Sequence, residues 1–363
     1  MTVRDVFLTH GKAYLQEFGQ RMLSSHKKVI QAIIQCRTPA LGTIVCACEN
    51  CANTYQIFRS CGNRHCPTCQ GEKAINWLNT RMDQLLPVDH FMITCTIPSE
   101  FRDFFRSHQR FAYAALFQAT SKTMTALAAE PTYFSGNTPG FFGVLHTWGR
   151  QMQYHPHIHY LVPGGAFSSS DHSWHSCPHA FYLPIRIMSA KIKSRFFRLM
   201  QKADLLHMLP AEAWKKNWNV NSQPVGNGAR SVRYLASYVF RTAISNHRVI
   251  NMENDRVLFR YTDTKSGTNK TMSLSAFEFI RRFLQHVLPT GFMKIRYYGF
   301  MHPSTKIPVK LAVALLEALS TVRPEKRNSS QTSGIPCCEH CNGIVRFVCF
   351  IRPQNTLPVG GFT

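Results

Sequence analysis

Apolar positions change their spacing several times along the chain. In residues 1–40, Ala13, Phe18, Met22, Val29 and Ile33 recur among polar neighbours at helical intervals, which predicts a helical N-terminal segment. Residues 41–70 lose that period and become Cys-rich, punctuated by Gly and Asn. "HFMITCTIP", His90 to Pro98, is an apolar run closed by proline and reads as a strand. A long helical stretch follows from about Phe101 to Ala129. Beyond a loop rich in Pro, Gly and Ser, "FFGVLHTW" (Phe141 to Trp148) predicts a second strand. "YHPHIHYLVPGG" (Tyr154 to Gly165) predicts a third, closed by Pro163, Gly164 and Gly165. Helical periodicity returns near 189–209 and 230–245. "HRVINM" and "RVLFRYTD" read as a β pair joined by a Glu-Asn-Asp turn. Ser275 and Glu278 form a capping-box pattern at the start of "SAFEFIRRFLQHVL", and "FMKIRYYGF" reads as a last strand. The tail after Pro324 is polar and loop-like. Strands and helices mix without a regular βαβ period, so the expected fold class is α+β with a largely antiparallel sheet.

Composition narrows the possibilities. A chain of 363 residues with 44% hydrophobic content can bury a full core in more than one domain, and is not a disordered polymer. It has no run of eighteen apolar residues, and its charged N-terminus lacks an apolar signal region, so the expected location is cytoplasmic, with no membrane contact. The formal charge of +23 changes the picture most, because such an excess strains a compact state unless a polyanion neutralises it. Nucleic acid is favoured over a membrane surface, since neither a polybasic tail nor a lipidation motif is present. The helix near 189–209 agrees with a DNA partner. Lys191, Arg195, Arg198 and Lys202 share one face, Ile192, Phe196 and Leu199 occupy another, and Asp204 is the only nearby acid.

Six of the thirteen cysteines lie between Cys46 and Cys69, and three between Cys337 and Cys341. Clustered pairs in a chain without a signal peptide read as metal sites rather than disulfides. Cys48-x2-Cys51 and Cys66-x2-Cys69, fourteen residues apart, are expected to hold one zinc ion, each turn supplying two thiolates. Cys46, Cys61 and His65 are within reach as substitute ligands or for a second ion. Cys338-x2-Cys341, beside Cys337 and His340, has the spacing of half a zinc site.

Two further patterns carry chemistry. On a strand, His157 and His159 point to the same face, and adjacent imidazoles suit a divalent ion such as Mn²⁺, or Mg²⁺ when phosphates complete its shell. A pair needs a third ligand; His146, Gln151, Gln153 and His155 are the candidates. In "RSVRYLASYVFRTAIS" (230–245), Tyr234 and Tyr238 share a helix face with Arg230, Ser237, Arg241 and Ser245. Val232, Leu235, Ala236, Val239, Phe240 and Ala243 occupy the opposite face. Tyrosines placed for packing would join the apolar stripe, whereas these two stand on the arginine-bearing side. A divalent ion beside them would let a tyrosine oxygen attack a phosphodiester, with Arg230 and Arg241 holding neighbouring phosphates.

"HFMITCTIP", "HPHIHYLVPGG" and "YLASYVFRTAISNHRV" resemble, in order, the three motifs of the HUH endonucleases, most closely the rolling-circle insertion-sequence transposases of the two-tyrosine class. "SCGNRHCPTCQ" is similar to the zinc-binding module that precedes their nuclease, and "FRYTDTKSGTNKTMSLSAFEFIRRFLQHVLPTGFMKIRYYGF" to their downstream region. The resemblance implies an HUH domain with a central antiparallel sheet flanked by helices, preceded by a small zinc-ribbon-like module. It implies His157 and His159 as ligands of Mg²⁺ or Mn²⁺ and Tyr234 and Tyr238 as nucleophiles. The implied activity is nicking of a single-stranded element end through a 5′-phosphotyrosine, on DNA in the bacterial cytoplasm and with no small-molecule substrate. The expected organisation is a helical segment (1–40), a zinc module (41–85), the nuclease domain (86–300) and a C-terminal helix with a Cys-containing tail (301–363). Alternatives are a plasmid replication initiator or relaxase, a non-catalytic zinc-dependent DNA-binding protein, and a metal hydrolase that uses water.

Overall fold

The structure, a computed structural model, describes all residues except 135–136, 169–172, 178–180, 241–242, 264–265, 306–311, 315, 317–336 and 354–363, and excepting the side chains of Ser237 and Tyr238. At the N-terminus, helix α1 (Val3–Phe18) is opened by a reciprocal cap. The Thr2 hydroxyl accepts from the Asp5 N–H, and the Asp5 carboxylate accepts from the Thr2 N–H. A short turn at Gly19–Arg21 separates α1 from α2 (Ser24–Gln35), so the helical segment expected over 1–40 is two helices. Val3, Val6 and Phe7 of the first and Val29, Ile30 and Ile33 of the second are buried in one cluster with Phe279, Ile280 and Phe283. The Cys-rich stretch then forms the hairpin β1 (Thr43–Cys48) and β2 (Thr54–Phe58), followed by α3 (Gly71–Met82).

The expected strands assemble in one sheet. They are β3 (His90–Thr96), β4 (Gly140–Trp148) and β5 (Tyr154–Pro163), with α4 (Arg102–Ser107) and α5 (Gln109–Ala128) between the first two. The small pair β6 (Gly165–Phe167) and β7 (Trp174–Ser176) precedes α6 (Ile185–Lys202), α7 (Ala211–Lys215), β8 (Asn219–Pro224) and α8 (Ala229–Val239). Next come β9 (Val249–Glu253), β10 (Arg256–Thr262), β11 (Asn269–Ser275), α9 (Ala276–Leu284), β12 (Ile295–Gly299) and β13 (Val345–Ile351). The central sheet has the order β12-β4-β5-β3-β8, and every pairing in it is antiparallel. Strand alternation gives the sheet two different faces. Phe91, Ile93, Phe141, Leu145, Ile158 and Tyr160 pack in the main core with residues of α5 and α6. Phe142, Val144 and Leu161 turn the other way, against Val232, Leu235 and Val239 of α8 and Trp77 and Leu78 of α3.

The mixed α+β architecture with its central antiparallel sheet is the expected one. Several element ends differ for local reasons. The helix expected to 209 stops at Lys202, because Asp204 takes a left-handed φ of 55°. The helix expected over 230–245 ends at Val239, and Ala243 is left-handed at φ 54°, so Ser245 is no longer on it. The β pair at 249–262 gains a third strand, β11, whose polar sequence "NKTMSLS" shows little apolar alternation. β8 was not expected, and it edges the sheet beside β3. The tail read as loop-like contains β13, paired antiparallel with β1.

Gly143 on β4 stands directly across from Tyr160 on β5, and a Cβ there would come within 2.4 Å of the Tyr160 ring. That ring is buried, and its hydroxyl is held 2.6 Å from the Thr120 hydroxyl. Gly143→Ala is therefore expected to destabilise the fold by about 1–3 kcal/mol through overpacking. The check is a lower thermal unfolding midpoint than the parent chain.

Candidate active site and metal centres

The β4–β5 register sets His146 opposite His157, while strand alternation brings His159 to the same face. The ring centroids are 5.3 Å (His146–His157), 4.5 Å (His146–His159) and 4.8 Å (His157–His159) apart. One nitrogen from each ring lies within 4.8 Å of the others. Of the four candidates for a third ligand, the geometry brings His146 to the pair. The Gln153 side chain instead accepts from the Gln151 N–H, and His155 receives a hydrogen bond from the Arg102 guanidinium at 3.2 Å.

Hydrogen bonds orient two of the rings. His157 Nδ1 lies 2.7 Å from the His155 carbonyl, which only accepts, so Nδ1 carries the proton and Nε2 presents its lone pair. His159 Nδ1 is 2.9 Å from the Thr94 hydroxyl on β3. Its Nε2 is buried without a hydrogen-bond partner among the described residues. Burial, reinforced by the neighbouring imidazoles, keeps His146 and His157 well below the usual histidine range and pushes His159 down to about 4. All three are then neutral, the form that ligates metal. Trp148 stacks on His146 at 5.6 Å, and the Lys294 amino group, which burial pushes down to about 7, sits 4.6 Å from the Trp148 ring. Three neutral imidazoles, one with an unsatisfied buried nitrogen, fit a divalent first-row metal, and among the described residues no carboxylate joins them.

The chain entering α8 is pinned to the sheet. The Val225 N–H donates to the His90 carbonyl at 2.8 Å, and the His90 N–H to Gly226 at 2.7 Å. Gly228 takes a φ of +73° against the His90 ring, where a Cβ would come within 2.9 Å. The Asn227 side chain caps the Ala229 N–H at 3.1 Å. With its apolar stripe buried on the sheet, α8 carries Tyr234, 43% exposed, to the histidines. The Tyr234 ring centroid is 5.9 Å from that of His159 and 6.4 Å from that of His146. Arg230 is exposed on the same helix, whereas the Tyr238 side chain and Arg241 lie outside the described residues.

The basic face of α6 lies elsewhere. Ile192 and Phe196 are buried in the core on the opposite side of the sheet, so Lys191, Arg195, Arg198 and Lys202 do not join the histidine–tyrosine site. Asp204 is also not their only acidic neighbour, because Glu130, just past α5, pairs with Lys191 at 2.8 Å.

The cysteines depart from the expected single site. Cys48, Cys51, Cys66 and Cys69 do not converge. Cys66 and Cys69 gather with Cys36 and Cys61, and Cys48 and Cys51 gather with Cys338 and Cys341. The chain between the two C-x2-C turns runs along β2, which carries them to different places. Cys36 follows α2 without a partner in spacing, so only the fold reveals it. Cys46 is buried beside the second cluster but outside it, and His65 Nε2 instead accepts from the Leu288 N–H at 3.3 Å. In the first cluster a hydrogen bond from the Cys61 thiol holds Cys66 down at about 5, and burial pushes Cys36 up to about 11. Each group of four thiols fits zinc.

Comparison with known proteins supplies the class. Residues 140–307 match a family described as "Putative transposase", and residues 6–97 match the "Transposase zinc-binding domain" of the IS91 type. The chain belongs to the transposases. More narrowly, it is a member of the two-tyrosine, IS91-type family. It is 37% identical over 319 residues to "Putative transposase y4qJ" of Sinorhizobium fredii, covering 82% of this chain and 80% of that one. It is 24% identical over 326 residues to the "Transposase for insertion sequence element IS801" of Pseudomonas savastanoi pv. phaseolicola, covering 85% and 77%. No solved structure matches the chain significantly. No helix among the described residues is long and apolar enough to cross a membrane.

Thr94 touches His159 on the side away from its unpaired nitrogen. Thr94→Val, which keeps the shape and removes the hydroxyl, is expected to weaken Mn²⁺ binding by about 10–100-fold. Titration calorimetry measures it, and an unchanged affinity would show that this contact does not orient the ring.

Proposed function

We propose that this transposase is a metal-dependent single-strand DNA endonuclease and strand transferase that nicks an end of its element through a 5′-phosphotyrosine link, in the manner of rolling-circle transposition. The observation that carries the proposal is the Tyr234 ring standing over the cluster of His146, His157 and His159. A divalent ion held there, Mn²⁺ or Mg²⁺, would polarise the scissile phosphate and offset charge in the transition state.

The protein's own groups would do the rest. Tyr234 Oη attacks phosphorus, the bond to the 3′ oxygen breaks, and the tyrosine's proton is balanced by the one gained on the departing 3′ hydroxyl. The 5′ end stays on the enzyme, so the phosphodiester is conserved for rejoining to a target strand. Tyr238, one turn further along α8, would supply a second attack of the same kind. Arg230 is exposed on this helix and suited to a neighbouring phosphate, and Arg241 has the same role in this reading. The basic face of α6 lies across the sheet, and so would serve DNA outside the reaction centre.

A replication initiator or relaxase would share the histidines and a tyrosine, but the match to a transposase zinc-binding domain favours the transposase. A non-catalytic DNA-binding protein would leave the buried histidine cluster without a use.

Incubation of the protein with a labelled single-stranded oligonucleotide carrying an element end and Mn²⁺ is expected to give an SDS-stable protein–DNA adduct. Tyr234→Phe should lower its yield at least tenfold, and Tyr234→Phe with Tyr238→Phe should abolish it. An adduct from the double variant would overturn the proposal, and free 5′-phosphate ends without an adduct would favour hydrolysis by water. The all-imidazole donor set also sets a metal order, with Mn²⁺ supporting a higher adduct yield than Mg²⁺ at equal concentration. His146→Ala should reduce the yield at low Mn²⁺ more than at high Mn²⁺.

A further inference from the structure

Cys338 and Cys341 lie outside both matched regions, yet they meet Cys48 and Cys51 from the start of the chain. Cys48 Sγ is 3.4 Å from Cys341 Sγ, and Cys51 Sγ is 3.5 Å from Cys338 Sγ. These separations are far beyond a disulfide bond of about 2.05 Å. They approach the roughly 3.8 Å between sulfurs at the corners of a tetrahedron with Zn–S bonds of about 2.3 Å.

The two turns that present these thiols share one backbone conformation. In the first, the Cys48 N–H donates to the Asn53 carbonyl at 2.9 Å and the Ala52 N–H to the Cys48 carbonyl at 3.1 Å. In the second, the Cys338 N–H donates to Gly343 at 2.8 Å and the Asn342 N–H to Cys338 at 2.9 Å. The residue after the second cysteine is left-handed in both, Ala52 and Asn342 each at φ 55°. A non-glycine residue pays for that conformation, and alanine gains nothing locally in return. The same strain at the same place in two turns points to a shared demand, which is to aim two sulfurs at one point. The Tyr55 hydroxyl supports the arrangement from β2, donating to Cys338 Sγ at 2.9 Å and accepting from the Glu339 N–H at 3.2 Å.

The apolar contacts here are too few to hold the strand that these cysteines precede. Of β13, only Val345 is buried, while Phe347 is 65% exposed and Val348 56%. The local buried cluster consists of Cys46, Cys48, Cys338 and Val345, flanked by Ile44 and Tyr55. A core of that size does not stabilise a three-stranded sheet alone, and small modules of this kind depend on a metal.

We infer that Cys48, Cys51, Cys338 and Cys341 form a second zinc site, separate from that of Cys36, Cys61, Cys66 and Cys69, which clamps the C-terminal strand β13 onto the N-terminal module. The ion would close a loop between Cys51 and Cys338, 287 positions apart, and long loops are the case in which a cross-link removes the most freedom from the unfolded state. The inference is independent of the nicking chemistry, since neither cluster touches the histidines.

Elemental analysis of the full chain, purified in reductant without chelator, is expected to find two zinc ions per chain that persist in His157→Ala with His159→Ala, which removes the imidazole cluster, and every count below is made in that background. Cys338→Ser with Cys341→Ser should leave one, and hydrogen exchange at 345–351 should rise at least tenfold while 66–69 keeps its protection. The converse variant, Cys61→Ser with Cys69→Ser, should also retain one ion and keep β13 protected. One zinc with all cysteines intact, or two in the Cys338/Cys341 variant, would overturn the inference. So would iron in place of zinc, or a wild-type mass four hydrogens light, which would mean two disulfides. If the cysteine variants fail to fold, the count with all cysteines intact and the wild-type mass decide the matter.

Discussion

The antiparallel register between β4 and β5 is the constraint on which the rest of the site depends. It sets His146 across from His157 and, through the two-residue repeat, brings His159 alongside them. A slip of one residue would turn His157 and His159 into the main core and expose Ile158 and Tyr160. The register is held from the opposite face, where Tyr160 lies over Gly143 and is tied to Thr120, and where Ile158 and Leu145 are fully buried. The aromatic core on one side of the sheet therefore fixes the geometry of the imidazoles on the other.

How much of this was legible depends on the range of the interaction that decides it. The adjacency of His157 and His159 follows from strand alternation alone, and the polar placement of Tyr234 from helical periodicity, because both are set within a few residues. His146 was one of four candidates, and only a cross-strand register separates it from Gln151, Gln153 and His155. The ends of α6 and α8 were overrun for another reason. A left-handed Asp204 stops α6, and it is not a glycine that would announce it, while α8 ends at Val239 inside a stretch whose apolar period runs on. β8 and β11 are polar edge strands whose partners supply their order, so their own sequences carry almost no alternation.

The cysteines show the same limit more severely. Spacing identifies a C-x2-C turn but says nothing about which turn it will face. Cys48 and Cys66 look like partners because fourteen residues separate the turns, yet β2 intervenes and folds back on β1, whose other edge pairs with β13. Cys36 had no sequence signal at all. The pattern makes physical sense once the scarcity of apolar contacts around β1 and β13 is weighed, since thiols gathered from both ends stand where a core would otherwise be needed.

The histidine cluster has a further consequence in the proposed reading. Its three imidazoles are neutral, and no carboxylate among the described residues joins them, so a divalent ion bound there would keep its full charge beside Trp148 and a Lys294 amine that burial pushes down to about 7. That charge is costly to bury alone and finds its complement in a phosphate of the DNA. Ion and DNA then stabilise each other reciprocally at the site, each binding more tightly when the other is present. Such coupling suits an enzyme whose net charge of +23 lets it meet DNA almost anywhere. Cleavage competence would arise only where a strand passes between the histidines and Tyr234, rather than wherever the protein binds.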